Sequence, residues 1–345
     1  MRGKLGSLMG GAALAALLIL PSLTAEAKHM TAPPAPAAPA SAPPAPVAPP
    51  APPAAPAQAN GDWVRQPVRT FNTTSLKVED LVGTVTVDVK DSGPMTVEVS
   101  GTSRRVSHLG ISDNGGELHI DGNGGDEDNS VWDWKNWFNF SDGGDRHTSN
   151  SLFVRISVPR GTEVRIEDLV GNANIGDTQG ILHFDAAAST AHIGHLKEAH
   201  INVDGSGKIY VGNVDGLLAV DIGGSGKIFA GSATDVKTDI AGSGTVILGP
   251  VAHSLKLEIA GSGDVSAPRV NGPVSVDIEG SGSVKIADGT ADPLHVEIAG
   301  AGNFTFGGTA VDPHIEAFGS GNVKIKAYRG KLNSEGMANV QIGQQ

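Results

Sequence analysis

From Trp63 onward, apolar and polar residues alternate with a period of two rather than 3.6. Val85, Val87 and Val89 alternate with Thr86 and Asp88, and Val154, Ile156 and Val158 alternate with Arg155 and Ser157. This alternation predicts β-strands with one buried face. From Ile201 the pattern becomes a repeat. INVDGSGKIYVG at 201 is followed by related segments at 220, 238, 257, 276, 296, 315 and 332, at spacings of 19, 18, 19, 19, 20, 19 and 17 residues. A fixed period near 20 residues predicts a solenoid.

Within each unit two short alternating segments flank Gly-Ser-Gly, so side-chain direction can be read from phase. Ile201, Val220, Leu257, Val276, Val296 and Ile315 share one phase, and Val203, Ile222, Ile240, Ile259, Ile278 and Ile298 lie two residues on. After the glycines come Ile209, Ile228, Val246, Val265, Val284, Phe304 and Val323, then Val211, Leu248, Ile286, Phe306 and Ile325. Each set predicts a stacked inward ladder. The fold expected is all-β: a parallel β-helix with ~19-residue coils, each strand paired with its equivalent one coil away. At a strand spacing of ~4.8 Å, eight copies give a rod ~40 Å long. The Gly-Ser-Gly is expected to turn the chain sharply at the same place in every coil, using the conformational freedom of glycine. It has neither the Gly-Lys-Ser/Thr ending of a phosphate loop nor the aspartate of a calcium-binding glycine turn. Two upstream segments, Val78 to Val87 and Ile166 to Ile175, are close copies of each other and extend the pattern. The β-structure is therefore expected from residue 61 to residue 345. Its first part, 61–200, is irregular and carries an insertion at 121–151. Its second part, 201–345, is the regular repeat.

The first 27 residues read differently. Arg2 and Lys4 precede an uncharged apolar run from Leu8 to Leu20, and Ala25-Glu26-Ala27 has a small-x-small pattern, as in a secretory signal peptide. The linker at 28–60 follows. Residues 31–59 hold 12 prolines and 13 alanines in 29 positions, which predicts an extended polyproline spacer without a core. Export of the rest of the chain is expected, to the periplasm or the cell surface, and no later stretch reaches transmembrane length. The net charge of −12 argues against nucleic acid as a partner. With no cysteine there is no disulfide, thiolate metal site or cysteine nucleophile.

The extended strands, the segment SVPRGTEVRIEDLVGNANIG at 157–176 and the recurring GSGxV corners resemble the autotransporter adhesin head family known as the GIN domain. The resemblance covers roughly residues 65–325. It implies a right-handed β-helix in the bacterial cell envelope, an adhesin-like role and no catalytic residues.

Candidate chemistry lies in three places. Two outward columns carry charge: Asp221, Asp239, Glu258, Asp277, Glu297 and Glu316, and two residues before some of them Lys237, Lys256, His295 and His314. A cation strip or a glycosidase carboxylate pair would need such acids. A solvated sheet face with each acid beside a base explains them better, because they recur in every coil. His183, His192, His195 and His200 cluster within 18 residues but lack an acidic ligand at matching spacing, so surface histidines are expected. The 121–151 insertion holds Trp132, Trp134, Trp137, Phe138 and Phe140 among Asp126, Glu127, Asp128, Asp133, Asp142 and Asp145. Trp132, Trp134, Trp137 and Phe138 form either a contact loop or a cover for the end of the helix. No catalytic residue, metal site or cofactor is expected. The reading is a non-enzymatic binding or structural module whose partner is a polysaccharide or an envelope protein. The alternative is a polysaccharide-active enzyme on a β-helix scaffold, but such an enzyme needs long loops to wall a cleft. The last repeat carries Val340 and Ile342 without a cap of its own, so self-association through the C-terminal coil is also expected.

Overall fold

The computed structural model describes residues 62–123, 152–336 and 339–344. The signal-like start, the Pro/Ala-rich segment and the four aromatic residues Trp132, Trp134, Trp137 and Phe138 lie outside the described residues. The described chain is almost entirely strand, wound into a β-solenoid of about 9 turns of ~19 residues.

Two short strands, β1 (Trp63–Arg65) and β2 (Arg69–Phe71), precede a coil built from β3 (Ser75–Glu79) and β4 (Val82–Lys90). Then come β5 (Met95–Thr102), the helix α1 (Ser103–Ser107), β6 (Gly110–Asn114), β7 (Glu117–Asp121) and β8 (Leu152–Pro159). β9 (Glu163–Ile175) and β10 (Ile181–Ile193) each run unbroken through a corner that splits the later coils into strand pairs. Those pairs begin with β11 (Glu198–Val203) and β12 (Lys208–Val211), β13 (Val214–Ile222) and β14 (Lys227–Ala230), and β15 (Ala233–Gly242) and β16 (Thr245–Ile247). They continue with β17 (Leu255–Gly261) and β18 (Asp264–Ala267), β19 (Val270–Gly280) and β20 (Ser283–Ile286), and β21 (Gly289–Gly300) and β22 (Asn303–Val311). The last are β23 (His314–Gly319) and β24 (Asn322–Arg329), and β25 (Asn333–Gly336) and β26 (Asn339–Gln344).

Every strand before the corner pairs in parallel with its equivalent one coil on, and so does every strand after it. The two sets form a first and a second face. Phe184, Ile201, Val220, Thr238, Leu257, Val276, Val296 and Ile315 are register partners in sequence along the first face. On the second face Ala191, Ile209, Ile228, Val246, Val265, Val284, Phe304 and Val323 are likewise aligned. The ladders anticipated from the repeat are thus buried rows of side chains, with their aliphatic members at most 6% exposed. A short third side closes the coil, where Ala233, Val251 and Val270 bridge one another. Dry apolar stacking of this kind is the main stabilising term, about 25 cal/mol per Å² removed from water.

The start of the solenoid is wound out of sequence order. β3 and β4 pair directly with β9, so that Val78 meets Ile166 and Val87 meets Ile175. The two Glu-Asp-Leu-Val-Gly copies, 88 residues apart, are therefore neighbouring coils. Asp80 and Asp168 make the same turn at φ 51° and 52°. The intervening chain goes to the other side of that first coil: β7 pairs with β3 and β8 with β4, both in parallel. β7 and β8 thus make one more coil, in which β7 ends at Asp121 and β8 begins at Leu152. Beyond it β5 turns antiparallel onto β8, and β1 and β2 pair antiparallel with β5. Met95, Val97, Val99 and Val106 of α1 are buried there. Among the described residues, this end of the core is covered by β5 and α1.

The two glycines of each corner are required for different reasons. A Cβ on the first would strike the carbonyl oxygen of its counterpart one coil back, at 2.4 Å for Gly261 against Gly242 and 2.5 Å for Gly280 against Gly261. The second faces inward, where a Cβ on Gly263 would lie 2.8 Å from Cγ2 of Ile240. The first glycine admits the neighbouring backbone, and the second admits the isoleucine of the ladder beneath it.

Candidate functional site

The first face presents two polar columns outward, because alternate residues of a strand point to opposite sides. One column runs through Asp185, Asn202, Asp221, Asp239, Glu258, Asp277, Glu297, Glu316 and Glu335. The other runs through His119, Lys77, Arg165, His183, His200, Ala219, Lys237, Lys256, Ser275, His295, His314 and Asn333. Within a coil the two columns are joined by ion pairs, Lys237 to Asp239 and Lys256 to Glu258, both at 2.7 Å, and by a hydrogen bond between His314 and Glu316 at 2.9 Å. Lys77 holds Glu79 at 2.5 Å and, across to the next coil, Glu167 at 3.1 Å. The stacking of coils also brings imidazoles together. His183 and His200 lie face to face at 4.8 Å, and His295 and His314 at 5.1 Å.

Where the basic column is interrupted, the acids lack their local counter-charge. Ala219 stands two residues before Asp221 and Ser275 two before Asp277. Partial burial, then the neighbouring carboxylates Asp239 and Asp204, push the Asp221 carboxyl above its usual range. Asp277 is raised in the same way, by partial burial and then by Glu297 and Glu258. Asp185 is raised too, chiefly by burial. At Ala219 the missing side chain leaves an open trough of about 380 Å³ on this face, lined by His200, Asn202, Asp221, Lys237 and Asp239 among others.

The second face carries a different stripe. His192, Tyr210 and Phe229 are stacked ring on ring at 4.8 and 5.0 Å, and Ile247 continues the row. The Lys208 ammonium lies 5.2 Å from the centre of Tyr210. These rings spend their faces on one another and show only edges to solvent, so they offer no flat platform for a sugar.

Of the histidines that cluster in sequence, the structure divides His183 and His200 from His192, which belongs to the second face. His195 sits at the third side, 2.8 Å from Asp215. Among the described residues no group of three or more His, Asp or Glu is placed to hold a metal ion. The Tyr210–Phe229 stack and the Ala219 trough escaped sequence reasoning. The signal for both was present, since aligning the repeat shows which coils break each column.

A family model described as "putative auto-transporter adhesin, head GIN domain" matches residues 76–287, more than half of the chain. The chain belongs to this family. The match begins at the first residue of the buried ladder, Leu76, and runs through β20. Among solved structures, a putative adhesin from Bacteroides fragilis is similar at 12% identity and a TM-score of 0.43, covering 81% of this chain and 96% of its own. A putative adhesin from Parabacteroides distasonis is similar at 14% identity and a TM-score of 0.39, covering 83% and 97%. A putative lipid binding protein from the same organism reaches 16% identity and a TM-score of 0.35, covering 83% and 96%. No curated protein matches the chain.

Proposed function

We propose that this GIN-domain chain is a non-enzymatic, adhesin-like binding module of the bacterial cell envelope, exported by its N-terminal segment. The folded part would stand off on the Pro/Ala-rich spacer, and its ligand would be a polysaccharide or another envelope protein. The observation that carries the reading is the evenness of the coils. From β9 to β25, register partners on the first face recur every 17 to 20 residues, and none of these coils has room for the long loops that wall a catalytic cleft. What the fold offers instead is an extended charged face, suited to repeated weak contacts along a surface ligand. The enzymatic alternative has less support, because the acids recur coil after coil and Asp239, Glu258 and Glu316 are each held by a base of their own coil. A retaining glycosidase needs two carboxyls in contrasting environments, one kept protonated and one ionised. The test is a glycan array probed with the full chain, run beside a reducing-sugar release assay. Selective binding without sugar release is the expected result. Release of reducing ends would overturn the reading.

A further inference from the structure

The two faces of the solenoid carry opposite surplus charge. The outward rows of the second face hold Lys208, Lys227, Lys285, Lys324 and Lys326 against a single acid, Asp264. All five lysines are exposed, and none has an ion pair among the described residues. Lys208 and Lys227 are direct register neighbours, a like-charge pairing that destabilises a sheet on its own. On the first face the surplus is acidic. Lys237 and Lys256 are taken up by Asp239 and Glu258. Asp185, Asp221, Asp277, Glu297 and Glu335 have no ion pair among the described residues.

The spacing of the two sets is the same. From Lys208 it is one coil to Lys227, three more to Lys285 and two more to Lys324. In the opposite direction from Glu297 it is one coil to Asp277, three more to Asp221 and two more to Asp185. Both series are set on one strand spacing, ~4.8 Å. Laid antiparallel, the second face of one copy therefore puts its four lysine rows on four first-face rows whose acid lacks a cation. Lys208 falls opposite Glu297, Lys227 opposite Asp277, Lys285 opposite Asp221 and Lys324 opposite Asp185. The other rows agree: Asp264 meets the row of Lys237, and the neutral Lys256–Glu258 pair meets Thr245 and Ile247. A parallel arrangement matches at most three lysine rows, and Lys227 then faces the row of Lys237.

We propose that the second face of one copy docks antiparallel on the first face of another. An anionic polymer would answer the lysines and leave the acids of the first face without cations, whereas a second copy answers both. The contact is heterologous, so each bound copy leaves a face free for the next. Exposed ion pairs are individually weak and screened by salt, so the contact depends on the rows acting together. The proposal is independent of the ligand-binding reading above.

Sedimentation of the full chain at several concentrations, in ~20 mM and ~500 mM sodium chloride, tests it. The mean mass should rise with concentration at low salt and fall to the monomer at high salt. Lys285→Glu should weaken the association about tenfold, because it sets like charges face to face. Asp221→Lys should weaken it as well, although it lowers a net negative charge that opposes association. The double variant Lys285→Glu/Asp221→Lys should restore it. Lys285→Glu/Asp277→Lys, which would restore an unshifted parallel contact, should not. Lys197→Glu, beside the third side, should leave the association unchanged. A monomer at every concentration in low salt would overturn the proposal, as would association indifferent to salt or a double variant without rescue. Alginate bound by a strictly monomeric chain and lost with Lys285→Glu would assign the lysine face to a polyanion instead. Both wild-type salt series stand even if a variant fails to fold, and either failure leaves the adhesin-like reading to the glycan array.

Discussion

Single side chains at the corners and in the ladders carry unequal burdens. Gly261 has φ +139° and no room for a Cβ against the Gly242 carbonyl, so Gly261→Ala strains the backbone and collides with it. Gly263→Ala meets chiefly the Ile240 side chain, at 2.8 Å from Cγ2, with the Gly244 carbonyl oxygen farther off at 3.3 Å, and overpacking of that kind costs about 1–3 kcal/mol. Ser262 between them is exposed, and Ser262→Ala should change stability by less than ~0.5 kcal/mol. Thermal melts should rank the losses Gly261→Ala, Gly263→Ala, Ser262→Ala, and the reverse order would refute the two-glycine account. Thr238 is the opposite case. It is fully buried between Val220 and Leu257, and its hydroxyl has no hydrogen-bond partner. Thr238→Val keeps the shape and removes the orphan, so a gain of about 1 kcal/mol is expected in denaturant unfolding.

A strand in this fold is decided by what it stacks on. Ile259 lies in register between Ile240 and Ile278 and is 2% exposed, whereas Glu258 is paired with Lys256 at the surface. Ile259→Asp should therefore cost several kcal/mol and Glu258→Ala less than ~1 kcal/mol. Equal losses of melting temperature would mean that the inward and outward sides had been exchanged. The acid column also predicts a pH signature. Asp221 and Asp277 are raised, so the folded protein holds their protons more tightly than the unfolded chain does. Their stabilisation is full below the ordinary carboxylate range, near pH ~4, and is lost as pH rises through their folded values. Asp235 runs the other way. Hydrogen bonds from Ser254 and His253 lower it, so its contribution is present above that range and lost as pH falls through the folded value. Asp221→Asn should accordingly raise the melting temperature at pH 7 and give no gain at pH 3. Asp235→Asn should lower it at pH 7, with the difference closing in acid. Melts of both variants across pH 3–8 check the two signs together.

Across the assembled coils, the out-of-order winding at the start accounts for where the insertion leaves the solenoid. Asp121 lies beside Glu79 and Phe153 beside Thr84, and the adjacent coil joins Glu79 to Thr84 through only Asp80, Leu81, Val82 and Gly83. A corner of about that length should close the coil that residues 124–151 interrupt. Replacing 124–151 by Gly-Ser-Gly is expected to leave the far-UV β signal and cooperative melting in place, because β5 and α1 cover that end of the core. Collapse of the variant into an unfolded chain would show that the insertion holds the end coils together.

The coil length, the inward ladders, the alternating columns and the glycine corner were legible in the chain, because a period of two inside a period of 19 leaves one consistent way to stack. The kinship of Val78–Val87 with Ile166–Ile175 was legible too, but not that the two are neighbours, since local pattern carries no record of which coil a strand pairs with across 88 residues. The same limit hid the covering role of β5, an antiparallel strand whose alternation reads like any other. It also hid the trough. Ala219 is an ordinary small residue in one dimension. It becomes a vacancy only when His200 and Lys237 are placed one strand away on either side of it, and when Asp221 is left without the cation that Lys237 gives Asp239. Sequence periodicity specifies which way each side chain points, because that follows from backbone geometry within a few residues. Which side chains meet is a property of the stacked coils, and the chemistry of the candidate site exists only there.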